Sequence, residues 1–289
     1  MHFSGTDGRM NSKSFRVDWQ LLVLLGLAAA LAGCAPGFQP RNFANPEALF
    51  RASVLEYQRK HWDNAQLGFE RLTTDLSARD PLLAPAYFYL ALTHERRSEF
   101  LLAAQSFERV TDGFPDDTLA PTAMLGVGRS YQKLWHKPTL DPEHGTKAAS
   151  ILRALLSSYP DAKEVVEAKS RIADIEEWLA EKDYLTGMHY VRVRRAVDPA
   201  IIYFKDVVTT YPNTKSARLA WLRLHELYTK IRWKEDAAET CTAMWRAYPK
   251  DADVAGACGA VPADTAAAKD KKPSGDVPLP QGLARPAPR

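Results

Sequence analysis

Few side chains in this sequence can act as nucleophiles, redox centres or soft metal ligands: three cysteines and seven histidines in 289 residues. His61, His94, His136, His144, His189 and His225 show no i, i+4 pairing, and neither H-E-x-x-H nor C-x-x-C occurs. Gly126-Val127-Gly128 lacks the glycine-rich turn and the lysine of a phosphate loop. Glu176-Glu177 reads as a charge pair on a solvated helix face, since acid–base work needs carboxylates in a cleft with shifted pKa values. No catalytic residue, metal site or cofactor is expected. The cysteine with the most telling surroundings is Cys34. It follows Leu31-Ala32-Gly33 at the end of an apolar run from Leu21 to Ala32, itself preceded by Arg9, Lys13 and Arg16. A basic start, a short apolar middle and small residues before a cut site describe a secretory signal peptide over residues 1–33. The run is about 12 residues, short of the ~18 that suggest a membrane-spanning helix. Export to an oxidising compartment permits a bond between the other two cysteines, Cys241 and Cys258. Cys241 falls on the apolar stripe of a helix and Cys258 in a tail, so two free thiols are the expectation.

The elements that must position any site come from one recurring pattern. Ala103, Phe107, Val110 and Phe114-Pro115 are followed by Ala148, Leu152, Leu155 and Tyr159-Pro160. Ala200, Phe204, Val207, Tyr211-Pro212 and Ala237, Cys241, Met244, Tyr248-Pro249 repeat it, and Ala65, Phe69, Leu72, Leu76 form a weaker first copy without the proline. Offsets of 0, 4, 7 and 11 share one face of a helix, which proline then stops. Another amphipathic helix precedes each copy: one from Pro46, capped by Asn45, then spans near 83–96, 119–134 and 215–230. The alanines recur at intervals of 38, 45, 52 and 37 residues. The pattern resembles the tetratricopeptide repeat, whose unit is about 34 residues. An all-α, right-handed solenoid of about five such helix pairs over residues 46–250 is the expected fold.

Two insertions stretch the period. Trp135 to Gly145 reads as an extended loop, and Lys163 to Arg194 as one long helix, with a kink at Gly187, whose far end should project beyond the stack. Residues 34–45 read as a tether. Residues 251–289, with ten alanines, six prolines and no aromatic, read as a disordered tail. The formal charge is +3, and removing residues 1–33 takes away three basic and two acidic groups, leaving about +2. Nucleic acid, which needs a concentrated basic face, is not an expected partner.

Cys34 after Leu-Ala-Gly closely resembles the bacterial lipoprotein box, which implies acylation of Cys34, a membrane partner through the lipid and, with Ala35 where inner-membrane lipoproteins carry Asp, the outer membrane. Together with the five repeats, Leu179-Ala180-Glu181, the aromatics Tyr184 and Tyr190, Arg194-Arg195-Ala196 and Val207-Val208-x-x-Tyr211-Pro212-Asn213-Thr214, the chain resembles the BamD-type lipoproteins of the β-barrel assembly machinery. The resemblance covers residues 34 to about 250. It implies a periplasmic role, with the barrel-forming subunit and unfolded outer-membrane proteins as partners. It also implies contact with that subunit at Arg194, flanked by Arg192 and Arg195. The family has glycine where Arg195 stands, and Asp198-Pro199 would serve as N-cap and first residue of a shifted turn. The resemblance further implies a substrate groove in the first repeats, here with Tyr87, Phe88, Arg96 and Arg97. Two readings compete with this one: another tetratricopeptide lipoprotein acting in pilus or secretin assembly or envelope coordination, and an enzyme carrying a solenoid, for which residues 251–289 offer no catalytic domain.

Overall fold

The computed structural model describes residues 37–259, so the expected signal peptide over residues 1–33, Cys34 and the part of the expected tail beyond Gly259 lie outside the described residues. Among the described residues there are eleven α-helices and no strand. They run in antiparallel pairs: α1 (Pro46–Gln58) with α2 (Trp62–Asp75), α3 (Leu83–Arg96) with α4 (Phe100–Gly113), and α5 (Ala120–Leu134) with α6 (Glu143–Ser158). The fourth pair is α7 (Glu164–His189) and α8 (Val197–Thr210), the fifth α9 (Lys215–Lys230) and α10 (Lys234–Ala247), and the short α11 (Ala252–Cys258) closes the series. Each helix packs on its neighbours in the chain, and the first helices α5, α7 and α9 also touch one another. No helix among the described residues is long and apolar enough to cross a membrane.

The recurring pattern is the seam of this stack. Ala65, Ala103, Ala148 and Ala200, with Phe69, Phe107, Leu152 and Phe204 four residues on, are all 0% exposed. A methyl at each alanine position lets the partner helix come close enough for the large side chain beside it to be fully enclosed, which is worth about 1.5–3 kcal/mol for each such side chain. Phe114, Tyr159, Tyr211 and Tyr248 each cap their helix, giving the backbone N–H to the carbonyl four residues back. Tyr159 also donates its hydroxyl to the carbonyl of Pro115 at 2.7 Å, pinning one repeat end to the next.

Turns inside the pairs share one device. Lys60, Ser98 and Arg232 adopt left-handed backbone angles (φ 65°, 63° and 65°). The next N–H then reaches back five residues, from His61 to Glu56, Glu99 to His94 and Trp233 to Tyr228, satisfying a carbonyl the helix end would leave bare. Gly126 and Gly128, which make no phosphate loop, have a packing role. A Cβ on Gly128 would stand 2.5 Å from Leu152, and one on Gly126 2.6 Å from Phe107.

Several expectations change. The long helix does not project free: its first half enters the central core through Ala168, Ile172, Ile175 and Leu179, and its second half joins the next core through Ala180 and Met188. Val166, part of its apolar stripe by spacing, is 78% exposed. The helix runs unbroken through Gly187, which admits Phe204, whose ring would lie 2.6 Å from an added Cβ. Glu176 and Glu177 are half-buried rather than solvated. Glu176 pairs with Arg153 at 2.7 Å. Glu177 accepts from the N–H groups of Lys215 and Ser216 at 2.7 and 3.0 Å, capping α9.

The two free thiols are also corrected: Cys241 and Cys258 form a disulfide, with Cα atoms 5.6 Å apart. Residues 252–258, expected in the tail, instead form α11, capped by the Asp251 side chain and holding Val254 fully buried against Met244 and Trp245. An end repeat must hide an apolar face that no further repeat covers, and α11 does so. Arg218 forks onto Asp251 (2.5 and 2.7 Å) and holds that carboxyl down at about 2.

Two outcomes follow from this packing. Gly128→Ala lowers stability by ~1–3 kcal/mol through overpacking against Leu152, whereas Gly113→Ala, with open space around it, is neutral or stabilising; thermal unfolding of both variants checks this. Cys258→Ser removes the clamp across 17 residues, a loop size for which disulfides contribute about 3 kcal/mol, and tryptophan fluorescence reports release of Trp245. A carboxylate with a lowered folded pKa stabilises above its unfolded value of about 4, so in that variant Trp245 is released further as pH falls from about 4 toward 2.

Candidate interaction site

The helical stack presents two regions bearing the residues singled out from sequence. In the first, Tyr57 and Tyr89 belong to the core of the first repeats: Tyr89 stacks on Phe69 with centroids 5.5 Å apart and meets Tyr57 edge-on at 5.8 Å. Tyr87 and Phe88 are half-buried against the central core, and Phe88 meets Phe107 at 5.6 Å. Arg96 is exposed and donates to the Tyr57 hydroxyl at 3.3 Å, which holds its guanidinium pKa above the ordinary value. Arg97 pairs with Glu99 at 2.9 Å and with Asp63 across the repeat. Tyr87 and Phe88 thus lie in the first half of α3 and Arg96 and Arg97 at its C-terminal end, with no contact between the two groups, and only Arg96 offers an outward charge.

The second region is built where the two insertions meet. Beyond His189 the chain takes one wide, π-helical turn over Tyr190–Arg194. Arg195 then adopts left-handed angles (φ 52°, ψ 31°), and the N–H of Ala196 reaches back six residues to Tyr190. This is the intra-pair turn of Lys60, Ser98 and Arg232 with one extra residue. The break stays at Arg195, where the family has glycine, and does not shift to Asp198-Pro199: α8 starts at Val197, and the Asp198 side chain caps nothing. Arg192, Arg194 and Arg195 are exposed, and none has a carboxylate within ion-pair distance among the described residues.

Arg194 borders a recess of about 420 Å³ whose other walls are Thr139, Lys182, Leu185, Thr186, His189 and Tyr190. Thr139 comes from the loop between α5 and α6, and the rest from the far half of α7 and its wide turn. The recess thus carries basic groups and hydroxyls with no carboxylate. Around it stand Leu140 at 49% exposure and Val193 at 65%. Tyr190 is fixed by stacking on Tyr203 at 5.6 Å. Basic groups interleaved with exposed aliphatics suit a protein surface carrying carboxylates rather than a small substrate. Sequence reasoning does not select Thr139, Lys182, Thr186 or His189. Their signal is the lengthened period on both sides, 45 and 52 residues, which marks additions beyond the ordinary repeat.

For metal, His225 is the one histidine whose ring nitrogens lie near both cysteine sulfurs among the described residues. The disulfide consumes those sulfurs, leaving a single imidazole, and burial lowers the His225 pKa.

Left-handed angles cost a non-glycine residue about 1–2 kcal/mol. Arg195→Gly raises the unfolding midpoint, and Arg195→Val, β-branched, lowers it by ~1–2 kcal/mol equivalent; urea unfolding of both variants measures the difference.

The chain is 22% identical over 234 residues, covering 78% of itself and 74% of the relative, to the outer membrane protein assembly factor BamD of Caulobacter vibrioides. Among solved structures it is similar to a tetratricopeptide repeat protein from Parabacteroides merdae (15% identity, 73% of this chain and 70% of that one, TM-score 0.34). A thermophilic tetratricopeptide repeat protein of Thermus thermophilus is also similar (18% identity, 74% and 98%, TM-score 0.34). The family model YfiO, outer membrane lipoprotein, matches residues 43–243, and the chain belongs to that family.

Proposed function

We propose that this protein is a lipid-anchored scaffold on the periplasmic face of the outer membrane, working in β-barrel assembly. Membership of an outer membrane lipoprotein family and likeness to an assembly factor of Caulobacter vibrioides support that setting. In this reading Cys34 carries the acyl chains. Each buried methylene adds about 0.8 kcal/mol, so two or three chains hold the protein in the leaflet. The scaffold binds the barrel-forming subunit through Arg192, Arg194 and Arg195, and unfolded outer-membrane proteins pass over the first repeats near Tyr87, Phe88, Arg96 and Arg97. It performs no reaction of its own.

The observation that carries the reading is the wide turn with its recess. Three arginines stand exposed with no ion pair among the described residues, beside aliphatic side chains that gain nothing from water. Such a surface costs stability in isolation and is compensated when a partner supplies carboxylates and apolar cover. Arginines elsewhere in the stack are used internally: Arg129 grips Glu95 with two 2.7 Å bonds, and Arg171 reaches both Glu167 and Gln132.

Arg194→Glu weakens capture of the barrel-forming subunit from solubilised membranes by about tenfold or more, while thermal stability stays unchanged because the exposed side chain gives up no hydrogen bond or ion pair among the described residues. Unchanged capture removes the assigned interface. Depleting the protein while barrel levels in the outer membrane hold steady removes the assembly role itself.

A further inference from the structure

The segment before α1 reads as a free tether in sequence, and the structure shows it docked. Phe38 and Phe43 face each other at 5.8 Å and pack on the core of the first pair. The Phe38 ring lies so close to α2 that a Cβ on Gly68 would come within 3.1 Å of it. Pro40–Asn42 form a short 3-10 turn between the two aromatics. Only residues 35–37 therefore separate Cys34 from a fixed side chain.

We propose that the first helix pair and residues 37–43 form a lipid-facing end, seated on the headgroups of the phospholipid leaflet. The proposal rests on the reading of Cys34 as the acylated residue. Its first argument is reach. Four residues from Cys34 to Phe38 span at most ~14 Å even when fully extended, little more than the diameter of one helix. With the acylated residue at the headgroups, Phe38 and the end of the first pair it packs on stay within ~14 Å of them, whereas the same leash puts no such limit on α9 and α10.

The second argument is charge. Residues 37–60 carry Arg41, Arg51, Arg59 and Lys60 against Glu47 and Glu56. Helix α2 carries Asp63, Glu70 and Asp75 against Arg71, so the excess of positive charge belongs to the α1 side of the pair and not to the pair as a whole. Glu56 is turned inward, holding His61 at 2.9 Å, Asn64 at 2.6 Å and Arg59 at 3.4 Å. Arg41 and Arg51 are exposed, and neither has a carboxylate within ion-pair distance among the described residues. Among the described residues the Arg41 guanidinium bonds only to the neutral side chain of Gln39, at 3.3 Å. Two unpaired guanidinium groups at the leashed end complement anionic headgroups, and the docked Phe38–Phe43 clasp makes that end rigid.

The test uses the full chain purified from membranes, its intact mass read first for acyl groups. It is placed on vesicles of phosphatidylethanolamine and phosphatidylglycerol with an acceptor dye on the headgroups. A fluorescent amino acid at exposed Gln39 or exposed Ala247 serves as donor. Energy transfer from position 39 exceeds that from 247 by at least about twofold, because the leash is ~14 Å. Twenty flexible residues inserted between Pro36 and Gly37 leave most of that transfer in place, and Arg41→Glu with Arg51→Glu in the lengthened chain brings it down to the level at 247. Equal transfer from both positions in the unlengthened chain overturns the proposal. So does a fall to the 247 level on lengthening alone, which leaves a leash without a docking face. If the intact mass shows no acyl groups, the anchor reading fails by itself, and the same vesicle measurement with Cys34 coupled to a maleimide lipid still decides the docking face.

Discussion

Close approach of neighbouring helices at small residues is the constraint on which everything else rests. A helical solenoid has no common centre into which distant segments collapse, so each pair must bury its apolar stripe on the pairs beside it. Alanine at Ala65, Ala103, Ala148 and Ala200, and glycine at Gly68, Gly126, Gly128 and Gly187, set how near the helices come. Phe69, Phe107, Leu152 and Phe204 fill the space left beside them. Larger residues at those positions would hold the helices apart and leave the large side chains loosely packed, so the stack would lose its fixed curvature along with its stability.

Polar bonds between pairs then fix how one unit sits on the next. Glu95 with Arg129 joins the second pair to the third, Thr122 with Glu164 the third to the fourth at 2.6 Å, and Glu177 with Ser216 the fourth to the fifth. Each is half-buried, where a bond has more effect than on open surface yet keeps enough water to avoid a full desolvation penalty. The two ends are closed by different means. Phe38 and Phe43 cover the first pair, and α11, held by the Cys241–Cys258 disulfide and the Arg218 fork, covers the last.

The long α7 gives the molecule its asymmetry. It is shared by two cores, and its second half extends past the third pair, where the lengthened loop carrying Thr139 comes to meet it. The wide turn at Tyr190–Arg194 adds a residue to an otherwise repeated cap, which aims three arginines outward instead of folding them against a carboxylate. Wide turns of this kind lose ideal helix bonding and recur at functional sites. Here the departure from repeat geometry coincides with three exposed arginines that have no ion pair among the described residues.

Helix existence, pairing and much of the core were legible in the sequence because they depend on spacing along one element. Offsets of 4, 7 and 11 place side chains on one helix face whatever the surroundings, and proline stops a helix locally; α3 and α9 therefore fall on the residues read from the pattern. The family was legible too, since its repeats and the run through Arg194 are contiguous in the chain. What tertiary structure alone decided depends on residues far apart in sequence. Cys241 and Cys258 become neighbours only when a short helix folds back over α10, and Phe38 stops being a tether only because Gly68 leaves room for its ring. Glu177 turns from a solvated charge into a cap because α9 begins beside it. Thr139 meets Arg194 because two insertions, each silent alone, extend toward the same side of the stack. A chain records the preferences of each helix, but distances between helices are set by packing, and packing depends on every neighbour at once.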